Sequence, residues 1–387
     1  MISTWDSKNP ILFGVGTSKL TGEKLKSFGC SKVLVVFDKG VKAAGIVDPI
    51  LETLTAQGIT YVCYDNVQAD PPDWSCDEAG ALGASEKCNG VLGIGGGSAM
   101  DTAKAARILI NRPGPINQYF MVPGTPPLDE TGMCPIVVIP TTAGTGSESS
   151  PGGVITDTKN DTKRIFNSTL TLGIVDPELT SGLPPGITAN TGIDALCHAA
   201  EALTTTLPSE LAAVLGKESC RLVAKYLPIA VKDGKNMEAR NAMSLAATLA
   251  TISMRGPLGH IPHQFGKGIS KNWHVPHGVT CGLFLATALK HEAEVVPQQV
   301  KQVCEAMGIP LPPNASPQEI GQAIFDAINK LLKDVDFPTF ASVCGTKEEL
   351  LSKVDDIWIG KPDPFSPYKI ETKEQALAFL EEAFDAY

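Results

Sequence analysis

The chain is poor in positive charge, in aromatics, in histidine and in long apolar runs. Lys plus Arg number 32 against 42 Asp plus Glu, a formal charge of −10 over 387 residues. A surface of that sign repels phosphate backbones, so no nucleic-acid partner is expected. No apolar stretch approaches the ~20 residues that span a bilayer, so no membrane role is expected either. The opening Met1-Ile2-Ser3-Thr4-Trp5-Asp6 lacks the charged-then-apolar layout of a signal peptide. Ten cysteines are scattered from Cys30 to Cys344 without a C-x-x-C pair. A disulfide framework needs clustered spacing in a short secreted chain, and a structural zinc site needs closely paired thiols. Free thiols in a reducing cytoplasm are the expectation.

What is present is an ordinary globular composition, 43% hydrophobic and 19% charged, in a chain too long for one typical core. The first half alternates strand-like and helix-like stretches. Lys32–Phe37, Val91–Ile94 and Pro135–Ile139 are short apolar runs of the kind buried on both faces, and Asp101–Ile110 reads as a helix between them. Alternation of that kind implies a mostly parallel, Rossmann-like sheet. Asn111–Gly132, rich in Pro and Gly, reads as surface loop. Beyond the turn-rich Ser181–Gly186 the chain reads as helical, for example over Ser209–Tyr226, Met237–Met254 and Ser316–Lys333, with a Pro-rich break at Ile309–Pro313. The expectation is an α/β dinucleotide-binding domain at 1–183 and an all-helical domain at 184–387.

Gly93-Ile94-Gly95-Gly96-Gly97-Ser98-Ala99-Met100-Asp101 takes a strand through three glycines into a helix. Ser98 followed by Asp101 resembles a capping box, which predicts a helix start at Ser98. Glycines admit close backbone approach, and a helix N-terminus offers free N–H groups to an anion. The motif fits a phosphate or pyrophosphate; a tight strand-to-helix turn is the alternative. It is neither G-x-G-x-x-G nor a P-loop. A second small-residue loop, Pro140-Thr141-Thr142-Ala143-Gly144-Thr145-Gly146-Ser147-Glu148, follows the next strand. Ligands bind open α/β sheets at such strand ends. Asp38 ends the first buried run, placed either to accept from a ribose hydroxyl, which favours NAD over NADP, or to cap a helix.

Only six histidines occur, and four fall between Gly259 and Gly278: His260, His263, His274 and His277. Asp194 and His198 are i and i+4 on one helix face, with Glu201 a further turn along. A carboxylate and imidazoles without thiolate suit Fe²⁺, Zn²⁺, Mn²⁺ or Co²⁺. Cys197 points about 100° away from His198 and is not expected as a ligand.

Taken in order, Gly-Gly-Gly-Ser-x-x-Asp-x-x-Lys at 95–104, Pro-Thr-Thr-Ala-Gly-Thr-Gly-Ser-Glu at 140–148, Val-Asp-Pro at 175–177, Asp-x-x-x-His at 194–198 and Pro-His-Gly at 276–278 resemble the iron-containing (group III) alcohol dehydrogenase family, with its dehydroquinate synthase-like fold. The resemblance implies NAD(H) in a cleft between an α/β and a helical domain, facing one divalent metal, Fe²⁺ favoured and Zn²⁺ the alternative. It implies metal ligation by Asp194, His198, His263 and His277. It places Gly96, Gly97, Ser98 and Asp101 at the pyrophosphate and Thr141, Thr142 and Thr145 along the cofactor. Lys163 falls near its ribose, Asp70 near the adenosine side, and Asp38 at the position associated with NAD preference. A homo-oligomer, a dimer, is implied too.

The pattern departs from the family between the last two ligands. Ungapped alignment puts Lys267 where a second histidine is expected; the other alignment matches that histidine to His263, with His260 nearby. Lys267 thus falls at the position credited with substrate contact or proton passage, and a lysine there favours an anionic aldehyde; solvent reached through the cofactor ribose, His274 and Lys267 are the three routes for the proton. The expected activity is metal-dependent interconversion of a small alcohol with its aldehyde or ketone by NAD(H). The alternatives are a zinc polyol (glycerol-type) dehydrogenase, a maleylacetate reductase-like enzyme and a dehydroquinate synthase-like lyase.

Overall fold

The computed structural model describes residues 9–122, 124, 126–254 and 259–387. The opening residues whose pattern lacks a signal-peptide layout lie outside them. One compact unit ends at Gly182 and a second begins at Leu183.

The first unit is built on six parallel strands: β1 (Ile11–Phe13), β2 (Lys32–Val36), β3 (Thr60–Tyr64), β4 (Gly90–Gly95), β5 (Ile136–Pro140) and β8 (Leu172–Val175), in the order β1-β8-β5-β4-β2-β3. Helices α1 (Thr21–Ser27), α2 (Lys39–Ala43), α3 (Val47–Ala56), α4 (Asp73–Ser85) and α5 (Gly97–Asn111) lie between the strands. The apolar runs are continuous because both faces of the sheet are covered. Val33, Val35, Leu92, Ile94, Val137 and Ile139 pack against Leu25, Ile50 and Leu54 on one face. Leu34, Val36, Val91, Ile136 and Val138 pack against Ala79, Met100 and Ala103 on the other. A separate antiparallel hairpin, β6 (Gly152–Asp157) with β7 (Thr162–Asn167), was not foreseen from the sequence. The expected loop at Asn111–Gly132 includes a 3₁₀ turn at Ile116–Tyr119.

The second unit contains only helices and connections among its described residues: α6 (Pro185–Thr204), α7 (Glu210–Lys232), α8 (Met237–Ser253), α9 (Ile261–Trp273), α10 (His277–Val295), α11 (Pro297–Met307), α12 (Pro317–Asp334), shorter helical turns, and a C-terminal helix at Lys373–Ala386. The α7 helix runs past Pro228, six residues beyond the expected Tyr226, because buried Leu227 and Ala230 hold its last turns to the core. None of the described helices is long and apolar enough to cross a membrane.

Candidate active site

In the α/β unit, β4 and β5 end side by side, with Gly95 paired to Pro140. Gly95 adopts φ +150°, and a Cβ there would stand 2.7 Å from the Ala99 Cβ, so only glycine makes this turn. The α5 helix starts one residue before the expected Ser98: Gly96 is its N-cap, with no side-chain cap. The capping-box reading fails because Asp101 bonds elsewhere. Its carboxylate accepts from Ser147 Oγ at 2.6 Å and from the Val154 N–H at 2.9 Å. With both oxygens occupied, Asp101 positions the second loop and the hairpin. Beside it the fully buried Lys104 ammonium donates to the carbonyls of Ser147 and Gly152.

The two loops meet at the glycines. The Thr141 N–H donates to the Gly95 carbonyl at 2.9 Å. Thr142 lies 3.5 Å from where a Gly96 Cβ would be, and Thr145 3.0 Å from that of Gly97. Thr142 Oγ1 is buried without a partner, so this cradle has an unmet polar atom beside the open N–H groups of Gly97 and Ser98. These features fit a pyrophosphate-bearing cofactor. Asp38 does cap α2, accepting from Val41 N–H at 3.0 Å, while its other oxygen lies 3.5 Å from the Gly95 Cβ position. The cap and a place at the mouth of the turn are thus both real. Asp70 and Lys163 form an ion pair with each other.

In the helical unit, α6 presents Asp194, His198 and Glu201 on one buried face. The close approach of α10 is set by Gly278, whose Cβ would fall 2.1 Å from the Asn190 carbonyl oxygen of α6. The residue before it is His277. The α9 helix supplies His263, stacked on His198 at 4.7 Å and tilted against His277 at 5.2 Å between ring centres. Asp194 Oδ1 lies 3.9 Å from both His198 Nε2 and His263 Nε2. Such separations are about twice the ~2.0–2.1 Å of a metal–nitrogen bond. Asp194 Oδ1, His198 Nδ1 and His263 Nε2 are all buried without hydrogen-bond partners. The unmet Asp194 Oδ1 facing the unmet His263 Nε2, with His198 Nε2 equally near, fits a divalent cation.

Around this group the electrostatics are strongly coupled. Burial pulls His198 down to about 4 despite Asp194. Burial opposes ionisation of Glu201, yet His263 and His260 outweigh it and hold the carboxyl down to about 2. Burial likewise opposes charging His263, but Cys281 and Glu201 raise it well above the imidazole range. Cys281 raises His277 against burial. The Cys281 thiol, pushed up by burial, is drawn down to about 7 by His263 and His277.

Two participants escaped the sequence reading or were misjudged there. Glu201 was noted only as a neighbour; it accepts from His263 Nδ1 at 2.8 Å and from the His260 N–H at 2.7 Å. That contact leaves Nε2 of His263 as the free nitrogen facing Asp194. Cys281, one turn after His277, was overlooked: its Sγ lies 3.6 Å from His277 Nε2. Cys197 stays outside this group of donors among the described residues. His260 is fully buried behind Glu201, against Glu292 and Thr204. The histidine grouped with Asp194 and His277 is thus His263, as in the ungapped alignment. Lys267 is exposed on α9, and His274 is exposed at the end of that helix in a left-handed conformation, φ +51°.

Replacing Glu201 by Gln is expected to weaken divalent-metal affinity about 10- to 100-fold, the usual effect of removing a ligand's outer partner. Competition against a chromophoric chelator measures it, and unchanged affinity would remove Glu201 from this role.

Comparison with known proteins matches both units. A profile described as "Iron-containing alcohol dehydrogenase" covers residues 9–177, and one described as "Fe-containing alcohol dehydrogenase family, C-terminal" covers 188–384. The chain is 33% identical to a sulfoacetaldehyde reductase of Bilophila wadsworthia over 388 aligned positions, 97% of each chain. It is 32% identical to a choline dehydrogenase of Bacillus subtilis over 367, covering 94% of this chain and 90% of that one. Among solved structures, a sulfoacetaldehyde reductase of Bifidobacterium kashiwanohense in complex with NAD⁺ superposes with TM-score 0.87 at 26% identity, covering 99% of each chain.

Proposed function

The chain belongs to the iron-containing alcohol dehydrogenase family, and from that premise we propose that it reduces a small aldehyde bearing an anionic group, using NADH and one divalent ion. Alcohol–aldehyde interconversion linked to NAD(H), with a metal, is the activity of the enzyme. The reading of the site is ours: Asp194, His198, His263 and His277 hold the ion, Fe²⁺ first and Zn²⁺ second. The observation that carries it is the unpartnered, buried Asp194 Oδ1 with His198 Nε2 and the unpartnered His263 Nε2 both 3.9 Å away.

When bound, the ion polarises the carbonyl oxygen and NADH supplies hydride to its carbon. The chain's own residues bind and orient. Gly95–Ser98 and Thr142 receive the cofactor phosphates, Asp38 its ribose, and Thr141 and Thr145 wall the cofactor. Asp70 and Lys163, as a pair, border the adenosine side. Glu201 fixes the tautomer of His263. Lys267 meets the anionic group of the substrate, and His274, also exposed, passes the proton that completes the alcohol. A cytoplasmic homodimer completes the reading.

The choice of an anionic aldehyde rests on Lys267, which follows His263 by one turn on α9. Two sulfoacetaldehyde reductases among the relatives support it. The choline dehydrogenase, acting on a cation at nearly the same identity, makes charge the quantity to test. With NADH and a panel of aldehydes, the sulfonate- and carboxylate-bearing members should give the highest kcat/KM. Lys267→Ala should lower kcat/KM for them by about tenfold, the loss of one charge-assisted contact of about 1.5 kcal/mol. Neutral aldehydes should be unaffected. Choline aldehyde or uncharged C2–C4 substrates outcompeting every anionic one would overturn this choice while leaving the family intact.

A further inference from the structure

We propose that Cys281 joins the metal site as a thiolate donor. The inference rests on the metal reading of Asp194, His263 and His277, and adds to it a ligand that the carboxylate–imidazole pattern does not contain.

The donor atoms of Asp194, His263, His277 and Cys281 all lie within 4.8 Å of one another. Cys281 follows His277 by four residues on α10, so the two side chains share a face. Cys281 is fully buried, and its Sγ stands 3.6 Å from His277 Nε2 and 3.7 Å from Nδ1. Adjacent bonds of ~2.3 Å to sulfur and ~2.0–2.1 Å to nitrogen separate those two atoms by about 3.1–3.6 Å, across the angles of six- to four-coordinate ions. The group is aimed at something: Asp194, only 2% exposed, keeps Oδ1 without a partner among these donors. His198, stacked on His263, lies 3.9 Å from Asp194.

On binding, the S–H bond breaks, the sulfur keeps the electron pair, and the proton leaves to solvent. Softer thiolate ligation tilts the site toward Zn²⁺ and Co²⁺ relative to a purely nitrogen and oxygen set.

The test uses full-length enzyme stripped with a chelator and reloaded with Co²⁺. The wild type should show cobalt d–d bands together with a near-ultraviolet sulfur-to-cobalt charge-transfer band. Cys281→Ser should keep the d–d bands and lose the charge-transfer band, whereas Cys197→Ala should keep both. Zn²⁺ affinity of Cys281→Ser should fall by about tenfold or more, since losing even an outer partner costs about that much. Wild-type d–d bands without charge transfer, or a charge-transfer band surviving in Cys281→Ser, would overturn the proposal while leaving the metal reading standing. Absence of any cobalt bands in the wild type would overturn the metal reading, and this inference with it.

Discussion

Asp194→Ala is expected to lower kcat by about three orders of magnitude while NADH binding is retained. Polarisation of a carbonyl by a bound ion is worth several kcal/mol of transition-state stabilisation, and about 4 kcal/mol corresponds to about 10³ in rate. Asp194 supplies the only carboxylate among the donors that lie within 4.8 Å of one another. Its loss removes the carboxylate partner of the ion and leaves His263 Nε2 without the oxygen that faces it. Retained NADH binding is expected because the glycine turn and threonine loop belong to the other compact unit. His277→Ala should behave alike. Steady-state kinetics and NADH fluorescence measure both quantities, and metal analysis on the same samples should find the ion lost. Full activity of wild-type enzyme after exhaustive chelation, with zero metal found, would place the protein among metal-free relatives and end this account of the donors.

Gly278→Ala is expected to be nearly as damaging, although it removes no functional group. Its added methyl would sit 2.1 Å from the Asn190 carbonyl oxygen and 3.2 Å from the Asp194 Cβ. Neither obstacle is a flexible side-chain tip, so α10 must move away from α6. Overpacking of this kind costs about 1–3 kcal/mol. The functional loss should exceed the stability loss, because His277 is the adjacent residue and travels with the backbone. A misplacement on the order of 1 Å at a reacting constellation costs about 10²-fold. The expected result is a fall in Tm of several degrees together with about a hundredfold loss of kcat. Gly182→Ala, where a Cβ would meet nothing within 4 Å, is the matched control and should change neither. Wild-type turnover in Gly278→Ala would show that the packing of these two helices does not set the position of His277.

The sequence spoke clearly where a local pattern had one structural meaning. Continuous runs such as Val33–Val36 and Ile136–Ile139 became strands covered on both faces, as such runs must. The glycine turn was legible because three consecutive glycines between strand and helix leave few alternatives. The β6–β7 hairpin was not, since Thr162–Asn167 carries Lys163 and Arg164, is mostly half-exposed, and lacks clean alternation. Ser98 was misread as a cap because spacing alone does not reveal that Asp101 is claimed by Ser147 and Val154. Asp194 and His198 were readable as an i, i+4 pair. Glu201 was visible in the same stretch, but its use depends on His263, 62 positions away. The same i, i+4 spacing links His277 to Cys281; a search restricted to carboxylates and imidazoles passes over it.

The buried Lys104 ammonium ties the glycine turn and the threonine loop to a common fate. Its acceptors, the carbonyls of Ser147 and Gly152, lie 43 and 48 positions downstream. An ammonium removed from water is tolerable only once those acceptors are in place. Seating helix α5 and closing the threonine loop therefore form a single cooperative event, and the amides of both segments should open to solvent exchange together. Neither segment can breathe alone, so this edge of the sheet stands preassembled.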